Sequence, residues 1–122
     1  MSPKTKKSQF LLLFHHTLEG PDPTPEEMQQ IFSRWMAWMK GLKANGDFLG
    51  SNRLQETGKV LRGPGGKAVT DGPFTEAKEI VGGYILVAAD NYAEAMALAR
   101  GCPGLDGEVA VEVREIEPMP EV

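Results

Sequence analysis

The 122-residue sequence lacks the features that mark several large classes of protein. Its one cysteine, Cys102, excludes an internal disulfide and a cysteine-based zinc cluster. No apolar run approaches the roughly 20 residues of a membrane helix, and the run over residues 9–14 is too short for a secretory signal core. A chain of this length buries enough surface to fold as one domain without disulfides or a structural metal. We therefore expect a soluble cytoplasmic protein without membrane association.

Positive charge is scarce beyond the N-terminus. Three of the 13 Lys and Arg residues lie in the first eight positions, and all 17 Asp and Glu residues follow them. The remaining 114 residues carry a net charge of −7, which repels a phosphate backbone, so we expect no direct binding of nucleic acid. We divide the chain into a flexible basic tail over residues 1–8, a single domain over residues 9–118 and a C-terminal tail over residues 119–122.

Four segments of the sequence have the hydrophobic pattern of strands. Residues 10–14 and residues 80–89 are apolar at consecutive positions. Such segments are typical of central strands that are covered on both faces. Residues 48–55 and 108–117 alternate between apolar and polar side chains, which indicates half-buried edge strands.

Two further segments have the pattern of helices. Thr24 and Glu27, with a proline after the threonine, form a capping box that marks a helix start. Apolar residues then recur at steps of three and four, which predicts a helix over residues 25–44. A second, shorter helix is predicted after Asp90 or Asn91, either of which can cap it.

Glycine marks two irregular places in the predicted strands. Residues 63–66 read Gly-Pro-Gly-Gly between two short strand-like segments, which predicts an inserted hairpin over residues 59–70. The pair Gly82 and Gly83 lies inside the second central strand. It predicts a bulge or a close approach by another backbone.

The order of elements predicts an α+β fold. Strand, helix, strand, hairpin, strand, helix, strand is the order of a ferredoxin-like β-α-β-β-α-β sandwich with an inserted β-hairpin. Helices on one face of such a sheet leave the other face of the central strands uncovered, although that face is also apolar. The same face of a second copy is the simplest cover, which predicts a homodimer in the form of a dimeric α/β barrel. The alternative is that the inserted hairpin folds across this face within one chain.

One ordered set of motifs resembles a known family. Residues 71–79 read Asp-Gly-Pro-Phe-Thr-Glu-Ala-Lys-Glu, and the Gly-Gly-Tyr of residues 82–84 follows. With the helix start at Thr24 and the first and last strands, this set resembles the YCII-related family over about residues 9–117, in its subgroup named for the Asp-Gly-Pro-Phe (DGPF) signature. The resemblance implies a ferredoxin-like α+β fold that dimerises through its sheets and has a pocket near the sheet.

The same resemblance implies a largely undefined activity. An enzymatic role has been suggested for the family from a His and Asp pair, and some relatives are labelled as transcription-initiation proteins or accompany sigma factors. A small-molecule ligand and a sigma factor are therefore candidate partners of this chain.

Asp71 and the two histidines are candidates for acid–base chemistry. Asp71 matches the signature aspartate, whereas the first helix, where shorter family members carry a histidine, has Trp35 and Trp38 here. We therefore take His15 or His16, at the end of a central strand, as the partner of Asp71 in a catalytic acid–base pair. Strand alternation places the two histidines on opposite faces. Alternatively, Asp71 caps its own turn and the histidine is satisfied by backbone, with no chemistry.

Three further residues are candidates for ligand binding. Arg53 and Arg114 fall on the non-helical side of their strands if Leu54 and Val113 face the helices, and an arginine there can hold a carboxylate or phosphate. Alternatively, Arg114 forms a salt bridge with an acid on a neighbouring strand. Trp38 is the third candidate, although a stripe at helical spacing is more often core. No cluster of side chains has the spacing of metal ligands, so we expect no metal and no cofactor.

These candidates lead to two classes of function. The first is a small-molecule enzyme that uses His15 or His16 with Asp71 in a sheet-side pocket. The alternative is a non-catalytic protein, either a ligand-binding module in which Arg53 holds a small anion or a transcription-associated accessory protein that acts by protein contacts.

Overall fold

The structure, a computed structural model, describes residues 7–17, 21–73 and 79–120. These residues form an α+β domain with two helices and six strands. In chain order the elements are β1 (Ser8–Thr17), α1 (Pro25–Ala44), β2 (Phe48–Arg53), β3 (Gly58–Arg62), β4 (Ala68–Gly72), β5 (Glu79–Ala89), α2 (Tyr92–Ala99) and β6 (Ala110–Glu115).

The main sheet has four antiparallel strands in the order β2-β5-β1-β6. The two strands predicted to be central are central, and the two alternating strands form the edges. This order is compatible with the ferredoxin-like arrangement, in which each split β-α-β unit has a strand of the other unit between its own two strands. The edge strands are shorter than predicted. The pairing of β2 with β5 stops at Arg53 and Gly83, next to an irregularity in β5.

Helix α1 has the bounds that the sequence predicts. The backbone N–H of Glu27 donates to Thr24 Oγ1 at 3.1 Å, and the backbone N–H of Thr24 donates to Glu27 Oε1 at 3.3 Å. This capping box satisfies two backbone groups that would otherwise have no helical partner. Beyond the other end, Gly46 has φ +78°, a conformation that favours glycine, and the chain turns there into β2.

Both helices pack on one face of the main sheet. Phe10, Leu12 and Phe14 of β1 point towards the helices together with Ile85 and Val87 of β5, and all five are buried. The helices contribute Leu42 from α1 and Ala95 and Ala99 from α2 to the same cluster. Burial of these side chains is the main favourable term in folding a domain of this size.

A bulge interrupts the pairing of β1 with β5. Phe14 pairs with Gly83 and His15 pairs with Val81, so Gly82 has no partner on β1. A Cβ atom built on Gly83 would lie 2.9 Å from the backbone oxygen of Asn52. Both features predicted for the glycine pair, a bulge and a close backbone approach, are therefore found.

The inserted hairpin, β3 with β4, forms a separate two-stranded sheet. Leu61 and Val69 face each other across it and are both exposed, by 66% and 57%. The described hairpin therefore does not bury its own apolar pair against the main sheet.

The opposite face of the main sheet carries no helix among the described elements. Leu11 and Leu13 of β1 and Leu86 of β5 lie on this side and are half-buried. We call it the open face. No helix within the described residues is long and apolar enough to cross a membrane.

The predicted basic tail enters the folded domain at its end. Ser8 begins β1 opposite Ala89, and Lys7 Nζ donates a hydrogen bond to Glu94 Oε1 at 3.2 Å. This bond raises the pKa of Lys7 and lowers the pKa of Glu94. The rest of the predicted tail, residues 1–6, lies outside the described residues, as do residues 121–122 of the predicted C-terminal tail.

Candidate functional site

A cavity of about 460 Å³ lies between α1 and the sheet, on the face that carries the helices. Its volume is within the range of roughly 300–1,000 Å³ that is common for small-molecule sites. We call it the helix-side cavity. Its apolar walls are formed by Phe14, Met28, Ile31, Phe32, Trp35 and Met39, and its sheet side includes His16, Ser51, Arg53, Gly82 and Gly83.

The wall contributed by α1 is unusually open. Met28, Ile31 and Phe32 belong to the apolar stripe of this helix, yet they are exposed, Phe32 by 59%. Leu42, near the other end of α1, is buried in the core. The described chain thus covers the C-terminal half of the stripe and leaves its N-terminal half facing the cavity.

Arg53 lies on the helix side of the sheet, which corrects the predicted placement. It pairs with Gly83, which in turn pairs with Phe14, so all three share one face. The prediction assumed uninterrupted alternation along β2, but the register shifts at Leu49 between Phe48 and Gly50. Because one extra residue moves all later side chains to the opposite face, Arg53 points towards α1.

His16 also belongs to the helix-side cavity. Its Nδ1 donates to the backbone oxygen of Thr17 at 3.2 Å. Since a carbonyl oxygen only accepts, Nδ1 carries a proton in this bond, and in the neutral ring Nε2 therefore carries none. The other nitrogen, Nε2, is then able to accept a hydrogen bond or a proton from a molecule in the cavity.

Gly82 provides the room that His16 occupies. A Cβ atom at Gly82 would lie 2.6 Å from Cδ2 and 2.7 Å from Nε2 of His16. These separations are too short for real atoms, so the imidazole rests against the bare backbone of the bulge. The predicted bulge thus helps to position a side chain of the site.

His15 lies on the open face, away from the helix-side cavity. Its Nε2 is 2.8 Å from Glu112 Oε1, and Arg114 Nε is 3.9 Å from Glu112 Oε2. Arg114 therefore pairs with an acid of its own strand, β6, rather than with one on a neighbouring strand. The two arginines that the sequence grouped together lie on opposite faces of the sheet.

Asp71 lies on β4, opposite Lys59 of β3. Its exposed carboxylate forms an ion pair with the Lys59 ammonium. Among the described hydrogen bonds and ion pairs, none joins Asp71 to His15 or His16, so the acid–base pair with Asp71 stays a prediction. Residues 74–78, which complete the signature, lie outside the described residues.

Trp38 is a core residue and does not line the helix-side cavity. Its Nε1 donates to the backbone oxygen of Leu98 at 3.2 Å, which ties α1 to α2. The ring also packs edge-to-face against Phe14 and Trp35, with centroids 6.0 Å and 5.6 Å away. The tryptophan that lines the cavity is Trp35, one helical turn earlier. The sequence showed the apolar stripe, but the candidate taken from it was Trp38 rather than Trp35.

Two other kinds of chemistry receive no support from the described part of the chain. It places no group of three or more His, Cys, Asp or Glu side chains where they could hold a metal ion. Cys102 is buried, and burial raises the pKa of its thiol. A raised pKa lowers the fraction of reactive thiolate, so the thiol is a poor nucleophile.

Comparison with known proteins identifies one family. A family model described as the YCII-related domain matches residues 9–120, which is nearly the whole chain. The DGPF subgroup within that family stays a prediction. No curated protein matches the chain.

Proposed function

Because the chain belongs to the YCII-related domain family, whose name specifies no reaction, we propose from its geometry that it is a small-molecule-binding protein whose site is the helix-side cavity. The observation that carries the proposal is the half-uncovered apolar stripe of α1. A helix in a monomeric domain normally buries such a stripe, whereas here its N-terminal half borders a cavity of ligand size.

His16 is the group available for proton transfer to a bound molecule. It lines the cavity, and its Nδ1 bond to Thr17 leaves Nε2 as the basic nitrogen. An imidazole oriented in this way can accept a proton on Nε2 and return it. The proposal therefore moves the candidate chemistry to His16 and the helix side, and it does not require Asp71.

The open face gives the proposal a second part, a homodimer. Leu11, Leu13 and Leu86 are among the apolar side chains that the two central strands present on that face. The apolar pair of the described hairpin, Leu61 and Val69, is exposed rather than packed on the main sheet, which favours a second chain over the hairpin as the cover of the open face. In such a dimeric barrel the open faces meet, and each chain keeps its own helix-side cavity.

The binding function is tested with N-phenylnaphthylamine, an uncharged fluorescent probe whose emission rises in apolar sites. We expect saturable binding by the wild-type chain with about one probe per chain. Ile31→Trp should weaken this binding at least 10-fold, because the larger ring fills the cavity from an exposed helix position.

A matched control separates the cavity from other apolar surface. Leu61→Trp places the same ring on the exposed hairpin, away from the cavity, and should leave the affinity unchanged. Absence of saturable binding to wild type, or equal affinity in Ile31→Trp and wild type, would contradict the proposed function. Circular dichroism of each variant establishes that it is folded.

A further inference from the structure

We infer that the helix-side cavity selects a monoanion with an apolar ring or chain, whose acidic group is held by Arg53. This inference rests on the proposed function and names the ligand class of the same site. It follows from the charges that line the cavity, from the pairing of the arginines and from the tautomer of His16.

The described lining of the cavity is apolar apart from a short polar edge. Arg53 is its one cationic side chain and His16 its one imidazole, and no carboxylate is among the described residues that line it. The chain as a whole has a net charge of −4. A cavity with positive charge and no acid, in an acidic protein, favours one negative charge on its ligand.

Arg53 differs from two other arginines in its pairing. Arg34 binds Asp106 at 2.7 Å, and Arg114 lies 3.9 Å from Glu112. Within the described residues Arg53 forms no ion pair. Its guanidinium, which matches the planar fork of a carboxylate or the oxygens of a sulfonate, is therefore available to a ligand.

The apolar lining of the cavity determines what the rest of the ligand must be. Phe14, Phe32 and Trp35 present aromatic rings to the cavity, and Met28 and Met39 present flexible thioethers. These side chains favour a flat apolar body and offer nothing to a second charge. The Nε2 atom of His16 accepts one hydrogen bond, which suits a ligand with an N–H or O–H next to its apolar body.

A matched pair of probes tests the inference. Anilinonaphthalene sulfonate has the rings and the secondary amine of N-phenylnaphthylamine and adds one sulfonate. We expect wild type to bind the sulfonate about 10-fold more tightly than the uncharged probe, because the sulfonate adds one charge-assisted pair with Arg53. A 10-fold ratio of dissociation constants corresponds to about 1.4 kcal/mol. The preference should fall as salt is added.

Arginine variants identify which positive charge causes the tighter binding of the sulfonate. Arg53→Gln should abolish the preference for the sulfonate, because it weakens binding of the sulfonate far more than binding of the uncharged probe, and Arg53→Lys should retain part of the preference. Arg114→Gln is the control, because it removes an arginine from the open face and should keep the full preference. Arg53 is exposed at the end of an edge strand, so these variants are expected to fold.

The outcomes distinguish the two proposals. If the uncharged probe binds in the cavity and the sulfonate binds no better, the inference is wrong and the proposed function stands. A preference that survives Arg53→Gln but disappears in Arg114→Gln would place the anion on the open face and overturn the inference. Failure of both probes to bind would overturn the proposed function itself.

Discussion

Gly82 and Gly83 are adjacent but meet different neighbours, and this difference is testable. An added Cβ at Gly82 would meet the His16 ring at 2.6 Å, whereas one at Gly83 would meet the backbone oxygen of Asn52 at 2.9 Å. A side chain can rotate away, but a paired strand cannot move without losing hydrogen bonds. We expect Gly83→Ala to lower the free energy of unfolding by about 1–3 kcal/mol.

Gly82→Ala should behave differently. Rotating His16 costs about 0.5–1.5 kcal/mol, and the lower entropy of the unfolded alanine chain offsets about 0.4–1 kcal/mol of that. The change in unfolding free energy in urea should therefore be small, while the affinity for the neutral probe changes because His16 has moved. Equal losses of stability in the two variants would contradict this account of the bulge.

The sheet face on which Arg53 lies could not be predicted from the sequence. Uninterrupted alternation from Phe48 would place Asn52 on the helix side and Arg53 on the other. The irregularity at Leu49 reverses that assignment. Leu49 is an ordinary apolar residue, and the local sign of this bulge is the single neighbouring Gly50, whereas a pair of glycines marks the bulge on β5. The faces of His15 and His16 were predictable, because the extra residue of that bulge is Gly82 on β5 and the alternation along β1 continues past it.

Among the elements, α1 was the most predictable. Its start is specified by the Thr24 and Glu27 capping box and its end by a glycine with positive φ, and both signals are local. The pattern also identified its apolar stripe. It did not reveal that half of the stripe borders a cavity, because periodicity tells which face of a helix is apolar and says nothing about what covers it.

For the inserted hairpin too, local patterns predicted the element but not its surroundings. Its turn and both strands were predictable from the Gly-Pro-Gly-Gly of residues 63–66 and the flanking β-branched and apolar residues. Its position was not predictable, because the turn and strand signals are local and do not specify where the hairpin lies relative to the main sheet. Asp71, the signature aspartate that was predicted to take part in acid–base chemistry, lies on this exposed hairpin opposite Lys59.

For the whole molecule, the order of elements predicted the strand order, and the hydrophobic pattern independently identified the central strands. Segments that were apolar on both faces became the two central strands, and alternating segments became the edges. The same pattern gives the open face its apolar side chains, and from them comes the expectation of a dimer.

We predict that the wild-type chain is a homodimer at micromolar concentration, as measured by light scattering after size exclusion. Leu13→Glu should shift it to monomer, because a charge buried between two open faces costs several kcal/mol. Leu61→Glu makes the same change on the exposed hairpin and should remain a dimer. A monomeric wild type would contradict the dimer and leave the cavity proposal intact.

The central claim is that ligands bind between α1 and the sheet, and one NMR titration tests it directly. With labelled protein and N-phenylnaphthylamine, we predict the largest shifts at the Trp35 indole N–H and the Ile31 methyl groups, which line the cavity. The Trp38 indole N–H, bonded to Leu98, should shift less. Largest shifts at the methyl groups of Leu13 and Leu86, on the open face, would contradict the account.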